Sequence, residues 1–154
     1  MFRIKIILFA TGIIIIAMQF VQPDRNQNEQ VLSMDIVKFV TLSDSVQVIL
    51  TNACYDCHSN NTHYPWYANI QPVGWFMARH IKQGKEELNF SEFGNYSSRR
   101  QSSKLNEIAN MVKDNIMPLP SYKLMHKDAS LSSHEKALII NWAQQLKDSL
   151  SAKN

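Results

Sequence analysis

Cysteine is scarce in this chain. Of 154 residues only Cys54 and Cys57 are thiols, and both fall within "NACYDCHSNN", residues 52–61. A closed zinc site needs four ligands, usually supplied as two pairs. Here no second cysteine pair exists, and His63, His80, His126 and His134 are not spaced as H-x3–5-H. His58 adjoins Cys57 too closely for both to join one closed site comfortably, so structural zinc is disfavoured. Strand alternation is also missing, as is any internal repeat, which points to an all-α domain. No set of residues supports a catalytic acid, base or nucleophile, so an enzyme is not expected.

Acid is absent from the first 22 residues, "MFRIKIILFATGIIIIAMQFVQ". Arg3 and Lys5 form a basic cap, and Ile6–Val21 is apolar or small except for Thr11 and Gln19. This is the layout of an export segment. No A-x-A-like cleavage site precedes Pro23, and no lipoprotein cysteine follows the apolar run. Ile4–Val21 approaches the minimum length that crosses a bilayer. The expectation for residues 1–22 is a membrane-spanning signal-anchor with its basic end in the cytoplasm. The alternative is a cleaved signal peptide that releases a soluble periplasmic protein. Without Arg3 and Lys5 the formal charge falls from +3 to +1, which gives no electrostatic case for nucleic acid.

Residues 23–30 are polar, lack periodicity and read as a linker; the domain is expected over 31–150. Ser43 caps a helix carrying Val46, Ile49, Leu50 and Ala53 straight into Cys54. A second helix is expected over Val73–Glu87, with Val73, Phe76, Met77, His80 and Ile81 on one face. Residues 88–98 read as a packed loop and 103–115 as a third helix. "MPLPS" should stop that helix, because Pro118 disfavours helix at Met117 and Pro120 should prevent resumption. Ser132 and Glu135 stand at capping-box spacing for a last helix with Leu138, Ile139, Trp142, Leu146 and Leu150.

C-x-x-C-H suits three chemistries. A redox dithiol of the thioredoxin kind follows a strand and opens a helix, whereas this motif follows a helix. Covalent haem attachment needs what is present. Two thiols add across the two porphyrin vinyl groups, and the next histidine reaches the iron. One haem c is therefore the expected cofactor, held by Cys54 and Cys57 with His58 as proximal ligand. Export to an oxidising compartment accords with thiols consumed by a cofactor.

The order of helix, C-x-x-C-H, proline-bearing loop, Met-Pro loop and aromatic-bearing final helix resembles small class I c-type cytochromes. "CYDCHSNNTHYPWYANIQPVGW", with "LNFSEF" and "MPLPSY" behind it, is more specifically similar to haem-binding domains of exported bacterial proteins. The similarity covers about Asn52 to Ala143. It implies a small cytochrome c-like helical domain around one covalently attached haem. It also implies Met117, which precedes a proline, as the distal ligand.

Met117 is the first candidate for the sixth position, since two prolines hold its loop out of helix. His80, on an apolar helix face, is the rival. Trp66 and Tyr67, with Tyr64 and Trp75, are candidates for the pocket wall. Pro72 or Pro65 could offer a carbonyl to the far nitrogen of His58. Arg79, Arg99 and Arg100 are candidate propionate partners. The functional expectation is a monohaem electron carrier on the periplasmic side of the cytoplasmic membrane, with redox partners the sequence does not name. A haem-based sensor with a labile sixth ligand is the alternative, and a thiol oxidoreductase a third reading.

Overall fold

A computed structural model describes residues 2–28 and 33–152. Residues 29–30 of the expected linker and 31–32 of the expected domain start lie outside them. Eight α-helices occur among the described residues: α1 Phe2–Met18, α2 Ile36–Phe39, α3 Asp44–Ala53, α4 Tyr55–His58, α5 Val73–Glu87, α6 Ser98–Lys113, α7 Pro120–Met125 and α8 Ser133–Ser151. Three short 3-10 turns punctuate them, and no strand occurs there beyond an isolated bridge between Gln27 and Asn61. Among the described residues the expectation of an all-α fold holds.

The N-terminal expectation needs correction. The apolar helix α1 ends at Met18, after 17 residues, a length of about 26 Å at 1.5 Å per residue. Among the described residues no helix is long and apolar enough to cross a membrane. Just past its end, the Gln19 and Gln22 side chains bind the domain. Gln19 Oε1 accepts from the Gln71 amide at 2.9 Å, and Gln22 Nε2 donates to the Asn69 carbonyl at 3.2 Å. The described part of the polar stretch is likewise fastened rather than loose. Asn26 receives Lys85 Nζ on its side-chain oxygen at 2.6 Å and donates to Ser59 and Thr62.

Several elements follow directly from local chemistry. The Ser43 hydroxyl accepts from the Val46 amide at the start of α3, and α5 has the expected bounds. Ser132 and Glu135 form the reciprocal capping box of α8. Helix α6 differs, starting five residues before the expected Ser103 because Ser97 caps it through the Arg100 amide. It ends through Asn115, at φ 60°. The Asn115 amide bonds Val112 O and the Ile116 amide bonds Met111 O, at 3.2 and 2.9 Å. That pairing is a Schellman turn, in which asparagine tolerates the left-handed region. Pro120 does not prevent resumption either; it occupies the first turn of α7, where its missing amide costs nothing.

The core lies where α3, α6 and α8 meet the Leu88–Asn95 segment. Leu50, Phe90, Phe93, Leu105 and Ile139 are almost wholly buried. Each such side chain contributes about 1.5–3 kcal/mol by leaving water. Tyr55 ties this core to the cysteine motif, stacking on Phe90 at 5.3 Å and donating to Asp35 Oδ1 at 2.8 Å. Truncating Leu105 to alanine should lower stability by about 2–5 kcal/mol in a urea melt. A loss below about 1 kcal/mol would place the core elsewhere.

Candidate functional site

Cys54 ends α3 and opens α4, so C-x-x-C-H is wound as one helical turn. The Cys57 and His58 amides both donate to the Cys54 carbonyl, at 3.2 and 3.0 Å. Both sulfurs and the imidazole thus project from one short, rigid segment. Asp56, between the cysteines, braces it. Its Oδ1 accepts from the His63 amide at 2.9 Å, and its carbonyl accepts from the Thr62 hydroxyl at 2.6 Å.

The His58 ring is oriented from the far end of α5. Nδ1–H donates to the Leu88 carbonyl at 3.0 Å, and neither Pro72 nor Pro65 supplies this bond. A carbonyl can only accept, so in the neutral ring the lone pair is left on Nε2. Burial lowers the His58 pKa, against the raising influence of the Leu88 and Gly84 carbonyls. The neutral form is the one able to ligate a metal.

Helix α5 approaches this turn closely because residue 84 is glycine. A Cβ there would lie 2.6 Å from the Cys57 carbonyl oxygen and 3.3 Å from Cys57 Cβ. Sequence reading passed over Gly84, although an isolated glycine within a helical pattern is itself a hint of close packing.

Beside the turn lies a cavity of about 330 Å³ lined by Cys54, Cys57, His58, His80, Met117 and Leu119, among others. A second space of about 160 Å³ shares Cys57, His80 and Leu119 with it and is lined also by Met77, Phe76 and Tyr67. A third space of about 220 Å³, which shares Cys54, His58 and Met117 with the first, is lined also by Phe90, Ile108 and Met111. Together these have the size and apolar walls of a cofactor site. A larger hollow of about 740 Å³ behind the turn is lined by Asp35, Asn52, Ser59, Thr62 and other polar groups. It holds no thiol, no His58 and no Met117, and its polarity suits a porphyrin face poorly.

A profile of the haem-binding domain family matches residues 13–145. The chain belongs to that family. No curated protein and no solved structure matched it. The haem-binding domain therefore takes haem as cofactor, and its residues fit one: an apolar cavity, an imidazole with an oriented Nε2, and glycine where a side chain would crowd the turn.

The expected site residues distribute as follows. His58, Cys54, Cys57, Met117 and His80 share the central cavity. His80 Nδ1–H donates to the Phe76 carbonyl at 2.9 Å, so Nε2 is the ring nitrogen free of that bond, as in His58. Tyr67 lines the side chamber, whereas Trp66 is 74% exposed and lines none of these spaces. Tyr64 and Trp75 are engaged elsewhere. Tyr64 accepts from the Asn26 amide, and Trp75 donates its indole N–H to the Val21 carbonyl at 2.8 Å. The arginines proposed for propionates are outside the cavity lining. Arg100 lies 4.0 Å over the Tyr96 ring, while Lys104, paired with Glu87 and Glu107, lines the third chamber.

Sequence reading also missed Tyr122. Its hydroxyl donates to Asp56 Oδ2 at 2.7 Å, and its ring stacks on His126 at 4.2 Å. His126 in turn hydrogen-bonds the Tyr67 hydroxyl at 2.7 Å. These contacts fasten α7, just after Met117, to the cysteine turn. The signal was an aromatic directly behind the Met-Pro motif.

Burial, then the neighbouring Cys57, pushes the Cys54 thiol up to about 12; burial, then Asp56, pushes Cys57 up to about 11. In haem-free chain at pH 8, iodoacetamide should therefore modify both far more slowly than in the urea-unfolded chain; equal rates would contradict the burial. Gly84→Ala should destabilise by about 1–3 kcal/mol through overpacking, although helix propensity alone would favour alanine by about 1 kcal/mol. A raised denaturation midpoint would refute the close approach.

Proposed function

We propose that this protein is a monohaem c-type cytochrome that transfers electrons in the bacterial cell envelope. One observation carries the reading: both thiols, an imidazole oriented through Leu88 and the Met117 thioether line one apolar cavity. Cys54 and Cys57 would form thioethers to the porphyrin, His58 would be the proximal ligand and Met117 the distal one. Bound haem would supply one-electron chemistry between ferric and ferrous iron, and methionine opposite histidine favours the ferrous state.

The chain's own groups do the rest. Leu88 holds the His58 ring in one orientation, which is how an outer hydrogen bond tunes an axial histidine. The Schellman turn sets the start of the Met117 loop, since the Met117 amide donates to the Met111 carbonyl at 3.1 Å. Tyr122 anchors the other end to Asp56. Fixed ligands limit reorganisation, as suits a carrier rather than a catalyst.

His80 supports a second reading. It lines the same cavity, so it could replace or compete with Met117, giving bis-histidine ligation or a labile position that admits a small ligand. The thiol oxidoreductase reading is weakened, because raised thiol pKa values leave little thiolate to act as nucleophile.

Helix α1 has no buried residue and is apolar around its circumference, which supports residence in lipid rather than water. We place α1 in lipid without the length to span it, and the domain on the periplasmic side, with protein redox partners and no nucleic acid.

Expression in cells able to attach haem should add the mass of one haem, resistant to acid acetone, and expression in cells lacking that machinery should not. A chain that stays colourless with both thiols free would overturn the reading. A methionine-to-iron absorption band lost in Met117→Ala, with carbon monoxide binding gained, would identify the sixth ligand. Absence of that band from the unsubstituted protein, with carbon monoxide binding gained in His80→Ala but not in Met117→Ala, would assign the position to His80.

A further inference from the structure

We infer that the face around Trp66 and Ile70 is a lipid-contacting surface that seats the domain directly on the membrane. The inference rests on the reading of α1 as lipid-bound and deepens it. An apolar helix followed by a free polar linker would let the domain tumble. Here the exit from α1 is fastened to the turn that bears the patch. The Gln19 side chain bonds both the amide and the carbonyl of Gln71, at 2.9 and 3.2 Å. Gln22 bonds the Asn69 carbonyl and the Gln71 side chain, at 3.2 and 2.9 Å, and Trp75 bonds the Val21 carbonyl. Ile70 lies between the two residues that receive these bonds.

Exposed apolar side chains are found on both sides of this junction. Phe20 is 84% exposed and Val21 61%, and on the fastened turn Trp66 is 74% and Ile70 45% exposed. None of the four lines the cofactor cavity or its side chambers, so haem does not explain their exposure. Val73 and Phe76, which do line a chamber, stand next along α5 and are also exposed.

The chemistry beside the patch fits a headgroup layer. Arg25 bonds the Asn69 side chain and lies 4.3 Å over the Tyr64 ring, and Asn69 Nδ2 donates to the Trp66 carbonyl at 3.1 Å. An indole, a tyrosine and a guanidinium at the end of an apolar helix are the groups that settle at the membrane–water boundary. A domain so seated would hold its cofactor cavity at a fixed height and tilt.

The test uses the full haem-loaded chain mixed with phosphatidylcholine vesicles. Flotation with the vesicles reports on α1. Hydroxyl-radical labelling, normalised to the urea-unfolded chain, reports on the patch, with Leu124 on α7 as reference because it is 78% exposed. We expect Trp66 to be protected severalfold more than Leu124, at every protein-to-lipid ratio. A chain that floats while Trp66 and Leu124 label alike overturns the seating and leaves the α1 reading standing. A chain that does not float overturns both. Protection of Trp66 that fades as chains are diluted in excess lipid would assign the patch to a second copy of the chain and overturn the lipid assignment.

Discussion

The close approach of α5 to the Cys54–His58 turn is the constraint on which the site depends. Gly84 removes the side chain that would hold the two segments apart. With the helix that near, its end falls where the Leu88 carbonyl can accept a hydrogen bond from His58 Nδ1–H. One bond then settles three properties of the ring: its tautomer, its plane and the nitrogen left to bind. A longer side chain at residue 84 would disturb the turn and the ring orientation together.

Around that contact the domain divides its work. On one side, Phe90, Leu50, Leu105 and Ile139 form a dry core, and Tyr55 couples it to the cysteine turn by stacking on Phe90. On the other, apolar walls enclose the cavity shared by both thiols, His58 and Met117. The Asp56–Tyr122 bond and the Tyr122–His126–Tyr67 contacts close that side. A carboxylate between two cysteines thus serves as the fastening for the loop that carries the distal candidate.

Legibility in the sequence followed the range of each interaction. Helices α3, α5 and α8 could be read because caps and apolar spacing act within a few residues. The early start of α6, capped by Ser97, was missed beneath an aromatic-rich stretch. Pro120 was misjudged because proline breaks a helix interior yet opens a helix well. Trp66 was assigned to the pocket on residue type alone, and the fold turned it outward. Residues 23–30 read as a linker on polarity, but in the described part the amides and carboxamides, with Gln22 just before it, proved to be the fastening groups. Their partners, at residues 59–71 and 85, are too distant along the chain to be inferred.

The sequence by itself determined the chemistry that could be attempted: two thiols and an imidazole in five residues, an all-helical background and an apolar leading segment. These are covalent and short-range facts, written into neighbouring positions. Only the tertiary structure decided which carbonyl orients His58, which of the seven methionines faces the same cavity as both thiols, and which aromatics meet solvent. Such choices depend on helices packing across tens of residues, where one missing Cβ or one buried hydrogen bond sets the distance. No local pattern records that.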